Sequence, residues 1–476
     1  MASGTSKGIL WSAVDRFGVV LLQFVINLVL ARLLTPDDFG LVGMILIFVV
    51  VSQTLIDSGF GSALIQKLNP TQTDYSTVFW WNLIFSILLY AIIYLFAPDV
   101  SNFFHNQELA PLLRVIALVI IINSFSLVQK ARLKKSLSFE KIAITDIISY
   151  SVSAVIAFYL AKQGIGAWSL VFMQISNALL SAILFWLVAK WTPSWSFSLA
   201  SLKNLFSYGG FLLIANMMQD VCTHIQGVVI GRNFSAANTG LYTQAKKMDE
   251  VASMTIPTIF CNVLFPVYSE HQNDKKRLCE LLGKNTRMVA FIVFPLMMLL
   301  IIIAEPLFNM LYGEKWLDAV PYFQILCIGG FFSALYNLGY YVVAAIGKSK
   351  ALFYWGCYKW GMLILLLLIG ASISMKAVLL SMVISNLNIY ITNALLVQHY
   401  IKYSLLLQIK DIIPTYICTL ITGGIVYFIS IHIYIHWILL STIFLILYLT
   451  ICYVFKISAM VVFKGIINNL LRKYIK

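Results

Sequence analysis

Charge is scarce in this sequence. Only 11% of the 476 residues are Asp, Glu, Lys or Arg, whereas about 25% is usual for a soluble domain. Hydrophobic residues make up 61% of the chain, and its mean hydropathy is +0.89. A chain of this composition cannot hide its apolar surface from water by folding on itself, so we predict an integral membrane protein.

Cysteine motifs and long polar stretches are also lacking. The seven cysteines are scattered, mostly in apolar runs, and no Cys-x-x-Cys pair occurs. This distribution argues against a metal site and against a disulfide framework. No polar stretch is long enough to form a soluble domain between the apolar runs.

Apolar runs of about 20 residues, the length that crosses a bilayer as a helix, follow one another along the chain. We predict an all-α polytopic protein with about 14 transmembrane helices. The first run lacks a small-residue cleavage site after it, so it is predicted to be a span and not a signal peptide. The runs cover residues 9–33, 39–66, 77–97, 108–129, 142–161, 165–189, 206–231, 240–265, 286–304, 319–346, 351–370, 375–400, 411–430 and 436–455.

Lysine and arginine are distributed unequally between alternate connectors. With the N-terminus in the cytoplasm, 22 of the 33 basic residues fall in inner connectors or the C-terminal tail, and five fall in outer connectors. This bias follows the positive-inside rule and predicts an even number of spans with both termini inside. The net charge of +14 is therefore attributed to topology and not to nucleic-acid binding.

Two connectors resemble each other at a gapless offset of 200 residues. ARLLTPDDFGLVG begins at Ala31 and GRNFSAANTGLYT begins at Gly231, so that Gly40 aligns with Gly240. Six predicted spans separate them, which places both on the outer face and orients the two halves in parallel. Parallel repeats of this kind are typical of transporters with a substrate site between the halves.

These residues also carry a family resemblance. The segment from Leu30 to Met44 resembles the first outer connector of the polysaccharide transporter family, the Wzx-like flippases of the multidrug/oligosaccharidyl-lipid/polysaccharide superfamily, and most of all the colanic-acid type. The matching segments cover about residues 1–350. Beyond them, the predicted spans match the family only in hydrophobicity. Three further stretches fit: Gln129 to Ala143, Ser207 to Asp220 with Val228 to Met248, and Asn262 to Asp274.

The resemblance implies two pseudo-symmetric six-helix bundles, residues 1–205 and 206–400, two additional helices at 401–456 and a basic cytoplasmic tail at 457–476. It implies a flippase that moves undecaprenyl-pyrophosphate-linked oligosaccharide across the bacterial cytoplasmic membrane. The expected partners are this lipid-linked substrate, membrane lipids, and a polysaccharide polymerase with its chain-length machinery. No cofactor is expected. Transport is expected to be coupled to H⁺ or Na⁺.

Charged residues inside spans are the candidates for substrate binding, because an uncompensated charge in hydrocarbon is costly. Arginine and lysine suit a pyrophosphate. The head-group candidates are Arg16, Lys246, Lys247, Arg32, Arg232, Arg114 and Lys359. Each has a simpler alternative: Lys246 is placed to pair with Glu250 one turn on, and the arginines near span ends are placed to reach the membrane surface.

Acidic and imidazole groups inside spans are candidates for ion coupling. These are Asp220, His224, Asp57 and Asp15. Asp220 and His224 are four residues apart and so lie on one helix face, where they would carry a proton or bind Na⁺, or else tie two helices together. The amides of Asn27, Gln53, Asn216 and Gln219 would bond sugar hydroxyls or one another.

Three other functions stay open from the sequence. One is an ion-coupled drug exporter of the same superfamily. Its cavity would need carboxylates to bind a cationic drug, whereas a cavity that binds pyrophosphate needs basic groups. A flippase for a peptidoglycan precursor would need the same chemistry as a glycan flippase. A membrane glycosyltransferase or polymerase is disfavoured because the outer connectors are short, so we expect a transporter and not an enzyme.

Overall fold

The structure is a computed structural model that describes residues 18–57, 59–433 and 435–460, without the side chains of residues 207–212, 215 and 262. The described residues form helices and connectors, with no strand among them. Two compact units, residues 1–240 and 241–476, divide the chain. Asp15 and Arg16 lie outside the described residues.

The first unit consists of helices whose contacts mostly join elements that are not consecutive in the chain. Its long helix Leu199–Asn233 packs extensively on Pro36–Asp57. The helices are α1 (Val19–Leu33), α2 (Pro36–Asp57), α3 (Phe60–Gln66), α4 (Gln72–Phe104), α5 (Leu109–Ile116), α6 (Leu118–Lys135), α7 (Phe139–Lys162), α8 (Ala167–Ala189), α9 (Leu199–Asn233) and α10 (Ala236–Glu250), of which α10 runs across the boundary into the second unit.

The second unit is centred on α14, which packs on both α12 and α16. Helices α17 and α18 join α12 in a core that includes Phe291, Phe444 and Tyr448. A π-helical turn, Val251–Thr255, and a 3₁₀ helix, Glu314–Ala319, interrupt the series. The α-helices are α11 (Ile256–Glu270), α12 (Lys275–Ile302), α13 (Ala304–Leu311), α14 (Val320–Ala345), α15 (Ser349–Ala371), α16 (Met375–Ile401), α17 (Leu405–His432) and α18 (Trp437–Val454).

The prediction of an all-α membrane protein is confirmed. Twelve helical segments among the described residues are long and apolar enough to cross a membrane. The two remaining predicted runs fall on Val19–Leu33, a shorter apolar helix, and on Leu199–Asn233. The number of about 14 spans is therefore approximate, and the domain boundaries at 205, 400 and 456 stay predictions.

Side-chain caps fix where several helices begin. Thr71 and Asp74 form a capping box at the start of α4, in which each side chain accepts a hydrogen bond from the other residue's backbone N–H. Ser198, Asp274, Ser374 and Ser404 cap α9, α12, α16 and α17 in the same position. These residues satisfy backbone donors that a helix start leaves without partners.

The repeated connectors have the same structure. Leu34 N–H donates to the Leu30 carbonyl at 2.8 Å, and Phe234 N–H donates to the Ile230 carbonyl at 2.9 Å. Thr35 then caps α2, accepting from the Asp38 N–H at 3.3 Å, and Ser235 caps α10, accepting from the Asn238 N–H at 3.1 Å. The sequence similarity therefore encodes one helix end, one cap and one helix start, twice.

Basic residues of the predicted inner connectors also hold the fold together. Lys135 Nζ lies 2.9 Å from the Ile65 carbonyl and also reaches the carbonyls of Leu64 and Lys67, where α3 ends. A cation at a helix C-terminus satisfies carbonyls that have no partner in the helix and interacts favourably with the helix dipole. Lys135 is thus one of the basic residues that predict the topology, and it also caps the end of a helix.

Candidate functional site

The first unit contains a polar cavity of about 560 Å³, within the size range of small-molecule sites. The cavity is lined by residues of six helices, α1, α2, α6, α7, α8 and α9. The polar and charged residues of its wall are Gln23, Gln53, Thr54, Asp57, Asn123, Ser126, Lys130, Asp146, Tyr150, Asn177, Ser181, Asn216, Gln219 and Asp220.

Helical spacing brings these side chains to one place. On α6, Asn123, Ser126 and Lys130 are three and four residues apart, and on α7 Asp146 and Tyr150 are four apart. Residues at these intervals lie on the same face of a helix. A bundle of otherwise apolar helices thus turns one polar stripe from each helix toward a common space.

A salt bridge joins two walls of the cavity. Lys130 Nζ on α6 lies 2.9 Å from Asp146 Oδ2 on α7. The ammonium also lies 5.2 Å from the centre of the Phe185 ring on α8, within cation–π range. This pairing compensates the charge of Asp146. Among the described residues of the wall, the charged side chains that remain are those of Asp57 and Asp220.

The carboxylate of Asp220 links α9 to α2. The Thr54 hydroxyl donates to Asp220 Oδ2, and the two helices approach closely on the same side because Gly227 faces the Gly43 carbonyl. Small residues at a helix crossing allow such close approach. Asp57, one turn beyond Thr54, is exposed and accepts from the Gly61 N–H at 3.3 Å.

Amide side chains supply neutral hydrogen-bonding groups to the cavity. Asn123 Nδ2 donates to Gln53 Oε1 at 3.1 Å, joining α6 to α2. Asn177 Oδ1 on α8 is buried with no hydrogen-bond partner among the described residues. An unused acceptor of this kind suits a ligand that carries hydroxyl groups.

Two of the four predicted ion-coupling residues, Asp57 and Asp220, line the cavity. His224 is not in its wall: the ring Nδ1 lies 2.9 Å from the backbone carbonyl of Asp220, one turn earlier on the same helix. The His224 ring therefore contacts the backbone of Asp220 and not its carboxylate, which accepts a hydrogen bond from Thr54. The fourth residue, Asp15, lies outside the described residues.

Arg32, Arg114 and Arg232, the predicted head-group cations of the first unit that the structure describes, do not line this cavity. Arg32 is exposed in the last turn of α1. Arg114 donates from Nε to the Tyr94 carbonyl at 3.2 Å, and its guanidinium lies 4.5 Å from the Tyr94 ring centre. Arg232 lies 5.1 Å from the ring centre of Phe103.

In the second unit, the predicted cations sit among aromatic and acidic groups. Lys246 Nζ lies 3.8 Å from Glu250 Oε1, as its alternative reading predicted, and 5.8 Å from the Tyr242 ring centre. The neighbouring Lys247 is exposed. Lys359 Nζ lies 4.3 Å from the Trp360 ring centre and also near the rings of Tyr336 and Trp355.

Sequence reasoning missed most of the cavity wall. The count of basic residues places Lys130 in a predicted inner connector, and no motif in the sequence marks Thr54, Asn123 or Asn177. The available signal was the spacing of three and four residues between polar groups inside apolar runs, which marks a polar stripe on a helix.

Residues 29–321 match the sequence family described as polysaccharide biosynthesis proteins, which is more than half of the chain. The chain belongs to this family. It is 28% identical to the teichuronic acid biosynthesis protein TuaB of Bacillus subtilis (strain 168), over 73% of each protein. It is 26% identical to the lipopolysaccharide biosynthesis protein WzxC of Escherichia coli (strain K12), over 70% of this chain and 68% of that protein.

The fold of this polysaccharide biosynthesis family member resembles that of a solved transporter. The lipid II flippase MurJ in an inward closed conformation superimposes with a TM-score of 0.75 over 94% of this chain and 98% of MurJ, at 16% identity. At this identity the likeness concerns the fold alone. The expected resemblance to Wzx-like proteins of the flippase superfamily is confirmed by the family match and by WzxC.

Proposed function

We propose that this protein is a flippase that translocates undecaprenyl-pyrophosphate-linked oligosaccharide repeat units across the cytoplasmic membrane for the synthesis of a surface polysaccharide. The match of residues 29–321 to the polysaccharide biosynthesis family carries this proposal. It is supported by the name of the relative WzxC, a lipopolysaccharide biosynthesis protein, and by the fold shared with a lipid flippase. In this proposal the protein is a transporter and not an enzyme.

The polar cavity of the first unit is assigned to the sugars of the substrate. Its amides and hydroxyls offer both donors and acceptors, which sugar hydroxyls need. Within the described part of its wall, the carboxylates of Asp57 and Asp220 have no ion-pair partner, and they would repel a pyrophosphate. The acidic head group is therefore assigned elsewhere, to the basic residues already named: Arg16, Lys246 and Lys247 first, then Arg32, Arg232, Arg114 and Lys359.

The carboxylates of the cavity are assigned to ion coupling. A partly buried aspartate that faces a polar space inside a helical bundle is suited to bind H⁺ or Na⁺, because a cation relieves the cost of its charge. Asp220 occupies such a position, and Asp57 lines the same space from an exposed site at the end of α2. Asp15 and His224 remain further candidates. Exchange of the cation would drive alternating access of the substrate to the two membrane faces.

The positive-inside distribution supports a cytoplasmic membrane location with both termini in the cytoplasm. In this orientation Asp57, at the end of α2, and Lys130, near the end of α6, lie toward the inner face. A lipid-linked oligosaccharide assembled in the cytoplasm would enter from that side. A polysaccharide polymerase that uses the exported unit is the proposed functional partner.

Deletion of the gene, followed by mass analysis of lipid-linked oligosaccharides, tests the function. A flippase for glycan units predicts that the undecaprenyl-linked oligosaccharide accumulates on the inner leaflet and that surface glycan is lost. Accumulation of the peptidoglycan precursor instead would reassign the substrate. Unchanged lipid-linked intermediates together with drug sensitivity would indicate an exporter and contradict the proposal.

Restoring the deleted strain with variants tests the head-group assignment. A Lys246→Ala/Lys247→Ala protein should be inserted in the membrane but should restore little surface glycan. Lys376→Ala, which removes a basic residue from a predicted outer connector, is the matched control and should restore normal levels. Full restoration by the double variant would remove both lysines from substrate binding.

A further inference from the structure

The second unit contains a separate pocket of about 470 Å³ at one end of its helices. It lies where α12, the beginning of α17 and the segment after α18 meet. Three basic side chains and one acidic side chain take part in its wall. The lining residues are Arg287, Lys410, Asp411, Pro414, Thr415, Phe455, Lys456, Ile457 and Ser458.

Asp411 positions Arg287 in this pocket. Its Oδ1 lies 2.7 Å from Arg287 Nη1, and its Oδ2 accepts a hydrogen bond from the Tyr403 hydroxyl. Burial raises the pKa of the Tyr403 hydroxyl, and the Asp411 carboxylate that accepts its hydrogen bond raises it further, so the phenol stays protonated and donates. Both carboxylate oxygens are thus engaged, whereas a guanidinium has five donors and retains others for a ligand.

Gly283 leaves the space that this arrangement needs. A Cβ added there would lie 3.0 Å from Asp411 Oδ2 and 3.2 Å from the Tyr403 hydroxyl oxygen. Glycine on α12 therefore lets α17 approach with its ion pair intact. Two helices, α12 and α17, and Tyr403 in the connector before α17 thus fix one cation of the pocket.

Lys410 and Lys456 give the pocket its net positive charge. The Arg287–Asp411 pair is neutral overall, and neither lysine has an ion-pair partner within the part of the chain that the structure describes. Lys456 also has a φ of 51° just after α18, a left-handed conformation in which glycine is favoured. Glycine is the usual residue at such a position, and lysine here places a cation at the end of α18.

The surroundings of the pocket are apolar and face outward. Leu406 is 79% exposed, Phe455 is 62% exposed and Ile413 is 45% exposed, all on the elements that form the pocket. In a membrane protein such side chains contact acyl chains. In the orientation predicted from the positive-inside rule, the beginning of α17 and the end of α18 both lie at the inner leaflet.

We propose that this pocket binds the phosphate headgroup of an anionic membrane phospholipid from the inner leaflet. Basic pockets between transmembrane helices on the cytoplasmic side have the charge and depth that anionic headgroups require. Among the residues that the structure describes, the wall offers Arg287, Lys410 and Lys456 for a phosphate but no amide side chain for a sugar. The ligand is therefore a phospholipid that stays with the protein, distinct from the translocated glycan.

Lipid retention by the purified full-length protein tests this site. The protein is extracted in mild detergent, incubated with phosphatidylglycerol or phosphatidylcholine, and examined by native mass spectrometry. We expect phosphatidylglycerol to be retained in preference to phosphatidylcholine. Lys410→Gln and Lys456→Gln should each weaken this retention about fivefold, the effect of one basic residue near a membrane surface.

Lys402→Gln is the matched control, because Lys402 is an exposed lysine close to Tyr403 that does not line the pocket. It should retain phosphatidylglycerol as the unaltered protein does. Equal retention by the double variant Lys410→Gln/Lys456→Gln would overturn the site. Displacement of the lipid by inorganic phosphate at equal concentration would overturn the lipid assignment and indicate a soluble anion.

Discussion

Gly40 and Gly240, 200 residues apart in sequence, lie against each other at the starts of α2 and α10. A Cβ at Gly40 would overlap the carbonyl oxygen of Ala236, and a Cβ at Gly240 would overlap the carbonyl oxygen of Pro36. The contact is reciprocal, because Pro36 and Ala236 are separated by the same offset as the two glycines. Reciprocal contacts of this kind are the signature of local two-fold symmetry.

Gly40→Ala and Gly240→Ala should each destabilise the protein by about 1–3 kcal/mol, because an added methyl group meets backbone atoms that cannot rotate away. Thermal unfolding of the purified protein in detergent measures the loss as a lower midpoint. The double variant should be no more stable than either single variant.

Gly361→Ala is the control for these variants. Beyond its own helical turn, no atom of the described residues lies within 4 Å of a Cβ added at Gly361, inside α15. Alanine also favours a helix more than glycine does. Its unfolding midpoint should therefore be unchanged or higher. A Gly40→Ala protein as stable as Gly361→Ala would contradict the close packing of the two connectors.

Asp220→Asn should abolish dependence of glycan export on the coupling cation while the protein stays folded. Asparagine retains an oxygen that accepts from Thr54 but removes the negative charge from the cavity wall. Export by membrane vesicles, measured with and without an H⁺ or Na⁺ gradient, separates the two effects. Thr54→Val removes the hydrogen bond and keeps the charge, so its cation dependence should persist.

His224→Gln separates Asp220 from the neighbouring imidazole. The His224 ring contacts a backbone carbonyl and is absent from the cavity wall, so this variant should keep normal cation dependence. Loss of coupling in His224→Gln together with normal coupling in Asp220→Asn would reverse the assignment.

Asp74→Ala should lower stability by about 2 kcal/mol, since it removes a helix cap and leaves partly buried donors without an acceptor. Asp74 is buried and accepts from the Thr71 N–H at 2.7 Å, from Lys67 Nζ at 2.7 Å and from the Ser201 hydroxyl at 2.5 Å. Lys67 is 39% exposed, so the ion pair itself contributes little of this amount.

Asp99→Ala on the same helix is the comparison for Asp74→Ala. Asp99 is exposed near the other end of α4, and surface substitutions of this kind usually stay within about 0.5 kcal/mol. Unfolding midpoints of the two proteins should therefore differ clearly. Similar midpoints would mean that the Asp74 cluster is not needed for stability.

Much of the fold was predictable because the bilayer imposes a fixed length and a strong apolar signal on each span. Every predicted run overlaps a helix. The repeated connector was visible as well, because caps such as Thr35 and Ser235 depend on residues only three positions away. Local chemistry of this kind is written directly in the sequence.

The polar sites were harder to predict, because they depend on which helix faces meet. Lys130 and Asp146 are close in sequence, yet only the packing of α6 on α7 makes them partners. Arg287 and Asp411 are 124 residues apart and form an ion pair across two helices. Neither pair follows from spacing, since helix periodicity defines a face but not the neighbour that it contacts.

The sequence by itself determined that this chain is a helical membrane protein, where its helices run and that its connectors repeat, since each depends on nearby residues and on the thickness of the membrane. Only the tertiary structure decided that carboxylates and amides share the cavity of the first unit and that basic residues gather in the pocket of the second. The physical reason is that a charge inside the membrane is tolerated only beside a partner, and partners from different helices are chosen by packing.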